Sequence, residues 1–162
     1  MTPMSNSKTG RKFLCDPTVG KLCRYMRMIG FDTDLSQTHV VKQVLAIALE
    51  QGRTILTRNS VLASMKLARD VVLLTDDDPW KQIKAVLDKC DLAIDESAVL
   101  TRCMEDNRPL RRASKDEVKG KVWPYVYETQ SEFTICTECG RIFWPATHVT
   151  AMLDKLKSIG LI

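Results

Sequence analysis

Two rhythms of apolar residues alternate along the chain from Lys12 to about Asp91. Short continuous apolar or β-branched runs, the pattern of a strand buried on both faces, are followed by stretches whose apolar residues recur three and four apart, the pattern of a helix with one buried side. Phe13-Leu14-Cys15 is the first run, and Asp16-Pro17-Thr18 then starts a helix with Asp as N-cap and Pro at the first helical position. Val19, Leu22, Met26 and Ile29 share one face of that helix, and Gly30 ends it. Phe31 to Leu35 predicts a second strand. Val41, Val44, Leu45, Ala48 and Leu49 form a second helical stripe closed by Gly52, and Thr54 to Thr57 a third strand. A short helix begins near Ser60, and Val71 to Leu74 is a fourth strand. Asp78-Pro79 repeats the Asp-Pro start ahead of Trp80, Ile83, Leu87 and Cys90.

Strand alternating with helix, without tight hairpin turns, predicts an α/β domain in which helices cover both faces of a parallel sheet. Past Asp91 the rhythm breaks. Arg102 to Lys121 is charge-rich, Val122 to Phe133 and Arg141 to Trp144 read as aromatic β-type runs, and Met152, Leu156 and Ile159 mark a final helix. The expected organisation is a disordered N-terminus over 1–11, an α/β domain over 12–98, and a small module with a C-terminal helix over 99–162. A chain of 162 residues, 44% of them hydrophobic, can bury one ordinary core plus such a module.

The stretch Met1 to Gly10 is polar and lacks a signal peptide's apolar segment. No apolar run approaches the roughly 18 residues of a membrane span, so no membrane association is expected. Of six cysteines, Cys15, Cys23 and Cys90 lie inside apolar segments and read as small hydrophobes, which fits a reducing cytoplasm.

Net charge is only +4, but Lys8, Arg11, Lys12, Lys21, Arg24 and Arg27 cluster near the N-terminus with Asp16 the one acid among them. Such a patch suits a polyanion, or else is a solvated face with nothing bound. In an open parallel sheet, ligands bind past the C-terminal strand ends. That edge collects Asp16, Asn59, Asp76, Asp77 and Asp78, acids of the kind that hold Mg²⁺ or Mn²⁺ for phosphodiester hydrolysis. The same residues are also ordinary helix N-caps.

Chemistry of another kind stands in the last third, where Cys103-x-x-Asp106 is followed, after a long gap, by Cys136-x-x-Cys139-Gly140. Paired knuckles of this kind hold structural zinc, although the first ends in a carboxylate. The rival for Cys136 and Cys139 is a redox dithiol, but that pair normally opens a helix, whereas Arg-Ile-Phe-Trp follows here. Asp106, His148 or a water could complete the site, with Asp106 ranked first. Trp123, Tyr125, Tyr127 and Phe133 alternate with polar residues, which predicts the core of a small module ahead of base-stacking surfaces. His39 has no chemical neighbour in sequence.

Phe13-Leu14-Cys15-Asp16, Gly20-Lys21-Leu22-x-Arg24-x-x-Arg27-x-x-Gly30-Phe31-Asp32-Thr33 and Gly52-Arg53-x-x-Leu56-Thr57-Arg58 resemble the Mut-seven C-terminal RNase domain family. Asp77-Asp78-Pro79-x-x-Gln82, Tyr125-Val-Tyr-Glu128 and Cys139-Gly140-Arg141-x-x-Trp144-x-x-x-His148 continue the resemblance. It implies a PIN-like nuclease domain followed by a zinc ribbon whose first knuckle begins at Cys103. Asp16 with Asp77 or Asp78 would hold the catalytic metal, with Asn59 beside them and Asp32 a weaker candidate. Lys21, Arg24 and Arg58 would meet RNA phosphates. Asn59 stands where the family usually has Asp, and the start near Thr38-His39-Val40 lacks an expected acid. The leading expectation is therefore a ribonuclease dependent on Mg²⁺ or Mn²⁺, with structural Zn²⁺. The alternative is a catalytically degenerate RNA-binding module with the same zinc site.

Overall fold

The computed structural model describes residues 10–66, 68 and 70–162. The expected N-terminal disorder, apart from its last two residues, and Lys8 of the basic cluster lie outside the described residues. Four parallel strands form the first sheet: β1 (Phe13–Cys15), β2 (Thr33–Leu35), β3 (Thr54–Thr57) and β4 (Val71–Leu73), in the order β2-β1-β3-β4. Phe13 lies opposite both Thr33 and Thr54. Helices α1 (Gly20–Met28), α2 (Val41–Gln51), α3 (Ser60–Ser64) and α4 (Pro79–Cys90) connect and cover it, and a 3₁₀ turn at Pro17–Val19 leads into α1.

Successive strand residues point to opposite faces, so the continuous apolar runs feed two cores. Phe13, Cys15 and Leu56 pack with Leu22 and Met26 of α1 and Ile83 and Val86 of α4, whereas Leu14 and Ile55 pack with Val44, Leu45 and Ala48 of α2 and Leu62 of α3. Leu56 and Ile83 are completely buried, and truncating either to Ala removes about 2–5 kcal/mol. Gly30 is required where α1 ends. It has φ +99°, and a Cβ there would lie 2.5 Å from the carbonyl oxygen of Ala98.

The second sheet is antiparallel, ordered β5-β6-β7 from β5 (Leu110–Ala113), β6 (Phe133–Cys136) and β7 (Ile142–Phe143). Helices α5 (Lys115–Val118) and α6 (Pro124–Thr129) join β5 to β6, and α7 (Thr147–Ser158) follows β7. Leu156 of α7 is buried in the first of the two cores, so the terminal helix packs back onto the parallel sheet's layer.

The expected β-run from Val122 to Phe133 is largely helix. Pro124 at the first helical position fixes a helical φ, and the strand begins only at Phe133. The charge-rich stretch holds β5 and, after a Ser114–Glu117 capping box, α5, because charges on a two-faced antiparallel strand simply face water. No described helix is long and apolar enough to cross a membrane.

Candidate metal centre

Cys103, Asp106, Cys136 and Cys139 converge, with one ligand atom of each lying within 4.8 Å of every other. The Cys103 and Cys139 sulfurs are 3.8 Å apart, and Cys136 Sγ lies 3.2 and 3.4 Å from the two Asp106 oxygens. Tetrahedral zinc with bonds of about 2.3 Å to sulfur demands ligand separations of about 3.8 Å. The donor set thus fits a structural Zn²⁺. One carboxylate in place of one thiolate leaves the formal charge of a four-cysteine site unchanged.

Both knuckles are the same turn. In the second, the Cys136 N–H donates to the Arg141 carbonyl (2.9 Å), the Gly140 N–H donates to the Cys136 carbonyl (2.9 Å), and Gly140 has φ +73°. In the first, the Cys103 N–H donates to Arg108 O (2.8 Å), the Asn107 N–H to Cys103 O (2.9 Å), and Asn107 has φ +68°. Asp106 therefore stands in the place that Cys139 fills. Asn107 supplies the left-handed residue that glycine supplies in the other turn, a conformation Asn tolerates better than most side chains. His148, exposed on α7, is not among the converging residues.

Burial pushes the Cys103 thiol up to about 12, with its hydrogen bonds to Asp106 and Cys139 adding to the rise. Burial opposes ionisation of Asp106 too. There, however, hydrogen bonds from the Arg108 N–H and the three thiols win and hold the carboxyl at about 2. The Asp is an anion ready to ligate. The thiols must lose protons when the metal binds.

The sheet edge is organised differently from the nuclease expectation. The strand order reverses between β1 and β3, so their C-terminal ends flank the crevice where ligands bind in such sheets. Asp16 lies there, only 4% exposed. Its Oδ1 accepts the Thr18 N–H (3.1 Å) and the Thr18 hydroxyl, and its Oδ2 accepts the Thr57 hydroxyl (2.5 Å). Those hydroxyls in turn accept the N–H groups of Arg58 (3.0 Å) and Asn59 (2.9 Å). Asp16 thus caps the turn after β1 and ties it to the end of β3.

Asn59 and Asp78 are helix caps as well. Asn59 Oδ1 accepts the Val61 and Leu62 N–H groups at the start of α3, and Asp78 Oδ1 accepts the Trp80 N–H at the start of α4. Asp76 accepts the Asp78 N–H (2.8 Å), which is the main cause holding its carboxyl below the usual range. Asp77 is exposed. Asp32 pairs with Arg53 at 2.7 Å, near the opposite end of β1 from Asp16.

These positions overturn the expected Mg²⁺- or Mn²⁺-dependent ribonuclease. Among the described residues the one group of three or more His, Cys, Asp or Glu side chains able to share a metal is Cys103, Asp106, Cys136 and Cys139, and no catalytic Mg²⁺ or Mn²⁺ site is evident. A thiol-rich set closed by four protein donors is structural chemistry, without the open position a hydrolytic metal needs. That cluster corrects the hydrolase and ribonuclease expectation.

Of the cationic candidates, Lys21 is exposed with its ammonium 5.7 Å from the centroid of the Tyr25 ring, and Arg58 is exposed beside the Asp16 turn. Arg24 pairs with Glu105 of the first knuckle at 2.9 Å. Sequence reasoning missed Thr18 and Thr57, which hold Asp16, and Asn107. The signal for Asn107 is the match of Asp106-Asn107-Arg108 to Cys139-Gly140-Arg141.

A family model described as the Mut7-C RNAse domain matches residues 11–156, most of the chain. A comparison with curated proteins found no match.

Proposed function

Because the chain belongs to the Mut7-C RNase domain family, we propose that it is an RNA-binding module in which the nuclease edge has become structural. In this reading residues 12–98 form a PIN-like domain and residues 99–162 a zinc ribbon with a C-terminal helix. The observation that carries it is the contrast between two carboxylates. Asp106 converges with three thiols on one point, whereas both oxygens of Asp16 are taken by the Thr18 and Thr57 hydroxyls and a backbone amide.

Lys21 and Arg58 remain exposed at the sheet edge, and cations in that position suit phosphate oxygens. Arg24 would add a contact by exchanging Glu105 for a phosphate. Single-stranded RNA binding by such groups weakens as salt rises, with a log–log slope of about −0.7 per phosphate neutralised. Fluorescence anisotropy with a labelled single-stranded RNA at stepped salt tests this reading. Binding that falls with salt, and a shallower slope in the Lys21→Ala/Arg58→Ala double variant, supports it. Absence of binding at low salt contradicts it.

A further inference from the structure

Trp123 and Tyr125, expected in the core of the small module, are 77% and 75% exposed. The buried aromatic there is Phe133, against which the Trp144 ring packs edge to face at 6.5 Å. Trp123 sits immediately before α6, where Pro124 fixes the following φ and the Trp123 carbonyl accepts the Tyr127 N–H at 3.0 Å. Its backbone is therefore held, while its indole has no core to enter.

It lines an open groove of about 680 Å³ together with Lys121, Val122, Arg141, Ile142 and Trp144. The groove adjoins the second knuckle, because the Arg141 carbonyl accepts the Cys136 N–H. Neither Lys121 nor Arg141 forms a close ion pair among the described residues, although the Lys121 charge helps to hold down the carboxyl of Glu117, which Arg111 and the Ser114 N–H engage directly. An exposed indole that shares one groove with two cations matches an unpaired base with its flanking phosphates.

We propose that this groove binds single-stranded RNA, one base stacking on Trp123 while Lys121 and Arg141 meet the adjacent phosphates. The inference rests on the RNA-binding reading and adds to it a second contact surface, on the metal-bearing unit, that selects unpaired strands. Duplex RNA keeps its bases within its own stack and offers none to Trp123.

The test uses the full zinc-loaded chain with one labelled RNA, single-stranded and annealed to its complement, measured by anisotropy. Trp123→Ala should weaken single-strand binding about tenfold or more, as the loss of one stacked base does. Trp123→Phe should restore most of it, duplex binding should stay the same, and unchanged zinc content and melting temperature show the variants folded. Single-strand affinity unaffected by Trp123→Ala overturns the groove and leaves the RNA-binding reading standing; the same result follows if a protein occupies this surface. An equal loss on duplex RNA also overturns it. A wild-type chain that binds neither form overturns both.

Discussion

The side-chain oxygen of Asn107 accepts the outward-facing backbone N–H of Thr33 at 2.9 Å. The Asn107 amide also donates to Asp32 (2.7 Å) and Asp34 (3.0 Å), so one knuckle residue caps the open edge of β2 beside Asp106 of the candidate metal centre. On the same edge Arg27, itself 6% exposed, donates to Thr33 O (2.7 Å) and to Met104 O (3.0 Å). An uncovered edge strand is a site for unwanted pairing. Here the first knuckle covers it, so the candidate metal centre and the sheet edge share their supports.

Asn107 therefore contributes in two separable ways. Asn107→Gly keeps the left-handed turn but leaves the Thr33 N–H unpaired, and should cost about 1–3 kcal/mol. Asn107→Ala should cost about 1–2 kcal/mol more, since a Cβ is strained at that φ. Urea denaturation of the zinc-loaded chain measures both. Equal stability of the Ala and Gly variants would mean the turn does not need its left-handed residue.

Asp106 should behave as a ligand. The purified chain should carry one zinc, Asp106→Ala should release it to a chelating dye far faster, Asp106→Cys should hold it more tightly, and His148→Ala should leave it unchanged. Structural zinc contributes folding energy outright, so chelation should also lower the melting temperature. Zinc retained in Asp106→Ala but lost in His148→Ala would reverse the assignment.

Asp32 makes stability depend on pH. Burial tends to raise its carboxyl, but hydrogen bonds from Arg53 and Asn107 outweigh that and hold it below its ordinary value. A depressed carboxyl stabilises the fold above its unfolded pKa of about 4, and that contribution is lost as pH falls through the folded value. Wild type should exceed Asp32→Asn in stability near neutrality, and the gap should close on acidification below about pH 4. A gap that widens toward acid contradicts the pairing.

Asp16→Ala should destabilise the chain by about 2 kcal/mol or more, because it removes a helix-turn cap and leaves the buried Thr57 hydroxyl without its acceptor. Thermal unfolding with and without Mn²⁺ reads it. A variant as stable as wild type would show that the carboxylate is not structural.

Much of the parallel sheet and its covering helices was legible in the sequence because its central strands are buried on both faces. Phe13-Leu14-Cys15 and Thr54 to Thr57 leave few alternatives to a covered strand, and the two Asp-Pro pairs mark turns that the structure caps through Asp16 and Asp78. The second unit was less legible. Its elements are short, and Trp123 and Tyr125 look like core in a string of letters. Pro124 starts a short helix there, and both rings are exposed. The converging Cys103, Asp106, Cys136 and Cys139 stood out by spacing, whereas the fate of Asp16 did not, since a cap and a metal ligand ask for the same carboxylate. Thr18 and Thr57 decide between them, and Thr57 lies 41 residues away.

The most direct test is incubation of single-stranded and structured RNA with the zinc-loaded chain in Mn²⁺ or in EDTA, resolved on a denaturing gel, with Asp16→Asn alongside. RNA that is bound yet stays full-length in every lane is the predicted result. Mn²⁺-dependent cleavage by wild type that disappears in Asp16→Asn would contradict the account, because it would make Asp16 a metal ligand and not the cap between β1 and β3.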